Sequence, residues 1–109
     1  MTLFDERERA FENLFVHEEA MRFRALAKRN QLFARWAADK LDLGGSEAQA
    51  YVRSFVDESV QPEPAAILVS RVRSDFRTKG LAVPDEQIEE ALARTTAEAG
   101  RHVRAKAIE

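Results

Sequence analysis

The sequence contains no cysteine, two histidines, four glycines and three prolines. Without cysteine there is no disulfide framework, no thiolate metal site and no thiol nucleophile. His17 and His102 stand far apart in the chain, which argues against an imidazole-rich metal centre. An excess of charge of one sign is missing too, because 17 Lys and Arg meet 19 Asp and Glu, for a formal net charge of −2. A protein that binds nucleic-acid phosphates carries a clear cationic surplus, as does one that adheres to anionic lipid, so neither partner is expected. No stretch approaches the ~18 apolar residues of a membrane span. The opening Met1-Thr2-Leu3-Phe4-Asp5 lacks the apolar core of a secretion signal. The expected location is the cytoplasm, without direct membrane insertion.

Catalytic equipment is equally sparse. No nucleophile, base and orienting group stand in an order that reads as a reactive constellation. Gly44-Gly45 precedes a helix, but no Gly-Lys-Ser/Thr pattern follows to cradle nucleotide phosphates. The sequence therefore predicts a protein that is not an enzyme and needs no cofactor or metal.

What is present is helix. Apolar residues make up 45% and charged residues 33%, the balance of a folded helical protein, and the length suits one domain, residues 1–109. No alternating strand pattern, internal repeat or low-complexity tract interrupts this. Thr2 is a candidate N-cap with Asp5 three residues on, and the first helix runs to about Leu41, where Gly44-Gly45 is expected to stop it. Ser46 with Gln49 reads as a capping box opening a second helix, whose stripe is Ala48, Tyr51, Val52, Phe55 and Val56. Pro64 suits the first turn of a third helix with Leu68, Val72 and Phe76 inward, and Gly80 closes it. Pro84-Asp85-Glu86 begins a fourth, with Ile88, Ala91, Leu92, Thr95, Ala99 and Val103 as its stripe. Gly100 costs about 1 kcal/mol there relative to alanine and predicts fraying beyond it. The expected fold is all-α, a small four-helix bundle whose core draws on Phe23, Leu26, Phe33, Trp36, Ala37 and Leu41 of the first helix.

The first helix is out of proportion. Forty residues make a run of roughly 58 Å, whereas each later segment covers roughly 20 to 32 Å. A bundle built from those segments shelters only its second half. Residues 1–19 are thus expected to form a protruding or mobile arm, and residues 20–109 the bundle. Phe4, Phe11, Leu14 and Phe15 cluster in one direction around the helix, while Phe23, Leu26, Asn30, Phe33, Ala37 and Leu41 cluster about a quarter turn away. Charge reverses at the same junction, near His17 to Met21. Residues 5–19 hold six acids (Asp5, Glu6, Glu8, Glu12, Glu18, Glu19) against Arg7 and Arg9; residues 22–40 hold Arg22, Arg24, Lys28, Arg29, Arg35 and Lys40 against Asp39.

Two uses of the arm follow from periodicity: packing back on the bundle, or docking in a groove of another protein, which its length favours. His17 beside Glu18 and Glu19 reads as a metal site, as a proton-sensitive switch or, the reading that is favoured, as a solvated histidine. Arg22, Lys28 and Arg29 read either as the solvated back of a packed helix or as a nucleotide- or anion-binding site of a small sensor. A helical adaptor for another enzyme is a further alternative.

The run Phe4-Asp5-Glu6-Arg7-Glu8-Arg9-Ala10-Phe11-Glu12 continues through Phe15, His17-Glu18-Glu19, Arg22-Phe23-Arg24-Ala25 and Arg29-Asn30 to Trp36-Ala37-Ala38-Asp39-Lys40-Leu41. It resembles the zeta subunit of alphaproteobacterial F-type ATP synthases, with further likeness at Val72-Arg73-Ser74-Asp75-Phe76 and around Gly80 to Ile88. The resemblance implies a four-helix protein that inhibits ATP hydrolysis by the catalytic head of the synthase, much as the mitochondrial ATPase inhibitor protein does. It implies that residues 1–19 enter a catalytic interface between nucleotide-binding subunits and reach toward the central rotor shaft. Phe4, Arg7, Arg9, Phe11, Leu14, Phe15 and His17 are then the expected partner-binding residues, while weak nucleotide binding at Arg22, Lys28 and Arg29 stays the alternative read from the basic residues themselves. Association with the synthase would place the protein at the membrane periphery.

Overall fold

The computed structural model describes the backbone of residues 3–56 and 61–108 and the side chains of residues 18–56 and 61–106. Among these residues there are four helices and no strand: α1 (Leu3–Lys40), α2 (Gly45–Arg53), α3 (Ala65–Thr78) and α4 (Asp85–Ile108). They form a small all-α four-helix bundle. The candidate cap Thr2 lies outside the described residues.

α1 ends at Lys40, four residues before the first glycine of the pair expected to stop it. The Leu43 N–H donates to the Ala38 carbonyl at 3.0 Å and the Asp42 N–H to Asp39 at 3.1 Å, the double bond pattern of a Schellman end. The left-handed position of that motif is held by Asp42 at φ 59°, a conformation that a short polar side chain tolerates. The Lys79 ammonium adds a bond of 2.6 Å to the Leu41 carbonyl, occupying another acceptor that the helix leaves free. The glycines serve α2 instead. Gly44 is its N-cap with extended backbone, Gly45 sits at φ 54°, and no side chain caps the helix, so the expected Ser46 capping box does not form.

α3 ends as the sequence predicts. Gly80 at φ 76° takes the left-handed position, its N–H reaching Arg77 and that of Leu81 reaching Phe76. Pro64 stands one residue outside α3 as its N-cap, not in the first turn. Pro84 does the same for α4, accepting from the Gln87 and Ile88 N–H groups. The expected fraying at Gly100 is absent: α4 continues to Ile108, and Val103 beyond the glycine is 8% exposed.

The core is built on Phe33, Ala34, Ala37 and Leu41 of α1, Leu68, Val72 and Phe76 of α3, and Ile88 and Ala91 of α4, with Phe55 closing it after α2. Phe33 stacks on Trp36 with centroids 5.7 Å apart, and Phe76 meets the same indole edge-on at 5.7 Å. Each large apolar side chain sealed this way contributes about 1.5–3 kcal/mol. Ala34, Ala37 and Ala38 of α1 and Ala91, Thr95 and Ala99 of α4 are all buried, and the seam of α1 with α4 is the most extensive between helices. Thr95 enters this seam because its hydroxyl donates back to the Ala91 carbonyl at 2.8 Å. Of the expected core residues, Phe23 is not sealed; it is 38% exposed, and Leu26 and Trp36 are half-buried.

The molecule measures 65 × 28 × 23 Å, with a radius of gyration of 17.7 Å. A compact chain of this length has about 13 Å. The excess follows α1, whose 38 residues span about 57 Å. Its first buried side chain among the described residues is Arg29, at 7% exposure.

Candidate functional site

The seven residues expected to bind a partner, Phe4, Arg7, Arg9, Phe11, Leu14, Phe15 and His17, belong to α1, and their side chains lie outside the described set. The three basic residues expected to hold a nucleotide or anion are placed differently from one another. Arg22 is exposed. Lys28 is half-buried and donates to Gln31 at 3.2 Å. Arg29 turns inward: its Nε and Nη2 donate to Asn30 Oδ1 at 3.1 and 3.0 Å, and Nη2 also donates to the Glu63 carbonyl at 3.1 Å. The Asn30 amide shares that carbonyl at 3.4 Å. Burial pulls the Arg29 guanidinium below its usual value. Arg29 and Asn30 therefore fasten α1 to the segment that leads into α3.

Lys28 takes part in a surface feature that single-residue reading does not expose. A groove of about 610 Å³ runs between α1 and the last turns of α4, lined by Phe23, Arg24, Lys28, His102, Val103 and Lys106 among others. A second, of about 580 Å³, runs between α1 and α2 past Arg35, Asp39, Val52 and Arg53. Gln31 and Val56 line both, so the two are continuous. Helical spacing puts Arg24, Lys28, Gln31 and Arg35 on one strip of α1. Only the i, i+4 pairs Arg24/Lys28 and His102/Lys106 hint at this in the sequence, and the fold is needed to bring them together.

Opposite this face, α2 and α3 are joined by a polar clasp. The Tyr51 hydroxyl donates to Asp75 Oδ2 at 2.7 Å, while Arg71 donates to the Ser54 carbonyl and hydroxyl and lies 3.9 Å over the Phe55 ring. Burial, then the bond to Asp75, push the Tyr51 phenol well above its ordinary range. Among the described residues no group of three or more His, Asp and Glu side chains is placed to hold a metal ion. None of the described helices is long and apolar enough to cross a membrane.

One comparison shows the family of this chain. The family model for the ATPase inhibitor subunit zeta matches residues 1–102. The chain belongs to that family. The match spans α1, α2 and α3 entire and α4 as far as His102. Comparison with curated proteins gives no match, and neither does comparison with solved structures. Membership in the zeta family describes an ATPase inhibitor subunit, which bears out the resemblance carried by Phe4 to Leu41.

Proposed function

We propose that this zeta-family protein restrains ATP hydrolysis by an F-type ATP synthase, with residues 1–19 as an arm that enters a catalytic interface of the head. In this reading Phe4, Phe11, Leu14 and Phe15 form the apolar face that docks between the nucleotide-binding subunits. Arg7, Arg9 and the flanking acids set its register by charge pairing, with His17 at the base. The tip reaches toward the central rotor shaft and blocks it by occupancy, so the protein acts without catalysing a reaction and without a cofactor. It works in the cytoplasm, held at the membrane periphery through the synthase.

The observation that carries this reading is the length of α1 against its neighbour. α1 is one helix from Leu3 to Lys40, while the last turns of α4 lie beside Phe23 and Arg24. About 30 Å of helix, residues 3–22, extends past that point at 1.5 Å per residue. Family membership supplies the class of target. The test is ATP hydrolysis by the cognate synthase head in the presence of the full chain or of a chain lacking residues 1–19. The full chain is expected to inhibit; the shortened chain is expected to keep the helical spectrum of the bundle and lose inhibition. Equal inhibition by both removes the arm from the mechanism.

A further inference from the structure

We propose that the outer face of α4 pairs with the same face of a second copy of this chain, giving an antiparallel two-fold dimer. One side of α4 is buried, through Ile88, Ala91, Thr95, Ala99 and Val103. At about 100° per residue, Glu86, Glu90, Ala93, Ala97, Arg101 and Arg104 gather on the opposite side within about 80° of one another, and all six are exposed. The face is ordered along about 27 Å of helix: acids first, alanines in the middle, arginines last. The helix macrodipole favours such an order only within the first and last turns. Glu90 stands beyond the first turn and Arg101 ahead of the last, so the dipole does not account for them. Nor does pairing within the chain, since Arg73 with Asp85 is the one ion pair among the described residues. The Arg104 guanidinium instead lies back along α4, its Nη1 3.5 Å from where a Cβ on Gly100 would stand.

A second copy supplies the partners. A face whose charge runs from negative to positive matches itself when turned end for end, as an isologous contact requires. With the two-fold axis level with Thr95, midway between Ala93 and Ala97, Glu86 comes opposite Arg104 of the second copy and Ala93 opposite Ala97 of the second copy. Such an axis sets each flank of one helix against the same flank of the other. Glu90 and Arg101 share a flank, so they meet as well. The symmetry doubles each pair. Two alanines at the centre let the helix axes approach to about 8 Å, the near end of the usual range, within reach of the flanking Glu and Arg side chains. α1 packs on the buried side of α4, away from this contact, and in the dimer the first turns of the two α1 helices extend past opposite ends. The dimer therefore neither needs nor hinders the inhibitory reading.

A contact one helix wide belongs to the weak class, so the test is sedimentation velocity and amide chemical shifts of the full chain followed up to about 1 mM. A dimer that forms with concentration at low salt and dissociates as salt is added is expected, with shifts centred on Glu86 to Arg104 of α4. Two charge-reversed chains sharpen the test: Glu86→Arg with Glu90→Arg, and Arg101→Glu with Arg104→Glu. Each alone is expected to associate roughly tenfold more weakly, because like charges then face each other across the axis. An equimolar mixture of the two is expected to restore a heterodimer, since every pair is then complementary again, and helical circular dichroism of each checks that it folds. A full chain that stays monomeric at about 1 mM in low salt overturns the proposal. So do concentration-dependent shifts confined to another face, self-association of both variants at the strength of the parent, or a mixture that stays monomeric.

Discussion

Asp42 is the one non-glycine residue among those described with a left-handed backbone, and it sits where most helices place glycine. An L side chain in that region costs roughly 1–2 kcal/mol, eased here by the polar tolerance of aspartate. Asp42→Gly is therefore expected to raise stability by about 1 kcal/mol, measured by urea unfolding followed through the single tryptophan. Gly100 presents the opposite case. It lies mid-helix in α4, and a Cβ built there meets only the end of the Arg104 side chain, at 3.5 Å. Gly100→Ala should gain about 1 kcal/mol in the same assay. The two sites also explain a misreading. Gly44-Gly45 is the more conspicuous stop signal, so sequence inspection assigns it the end of α1, whereas Asp42 does that work by a hydrogen-bond pattern that no dipeptide announces.

The elements that were most legible are those with punctuation at both ends. Pro64 and Gly80 bound α3, Pro84 opens α4, and of their stripes Leu68, Val72, Phe76 and Ile88, Ala91, Thr95, Ala99, Val103 are buried, with Leu92 half-buried. α2 was legible only in part. It has nine residues and no fully buried one, and it is held by the clasp of Tyr51 to Asp75 and Arg71 to Ser54, contacts between residues too distant in sequence for periodicity to reveal. The basic groove was hidden for the same reason, since α1, α2 and α4 each give it a few residues. The clasp predicts a pH effect. Tyr51 is the only tyrosine, and its phenol is held protonated above the ordinary value of 10.0. Below that value folded and unfolded chains are both protonated and the contribution is intact. Above it the unfolded chain ionises first, so stability falls with rising pH. The phenolate absorbance is expected to lag behind that of free tyrosine and to rise together with loss of helix. Tyr51→Phe should make the alkaline fall in stability disappear and cost about 1 kcal/mol at neutral pH, both read by urea unfolding.

Across the whole molecule the governing feature is that α1 runs from its first turns to the packed core without a glycine or proline anywhere between Leu3 and Lys40; on the proposed function the first turns are the inhibitory arm. Bends in helices concentrate at such residues, so the arm inherits its direction from the part of α1 that is packed. Ala20 is exposed at the junction and makes a clean place to break this continuity. Ala20→Pro removes one helical bond and should cost the helix locally about 3 kcal/mol. The bundle beyond it is expected to unfold in urea at a midpoint close to that of the parent, while inhibition of the synthase head falls; unchanged inhibition would show that arm direction is irrelevant. Trp36 offers a way to watch such events from inside. It is the only indole in the chain, pressed against Phe33 of its own helix and the edge of Phe76 from α3. Prising those two helices apart wets that ring, so its fluorescence serves as a native, label-free gauge of whether capture of the arm leaves the distant seam shut or opens it.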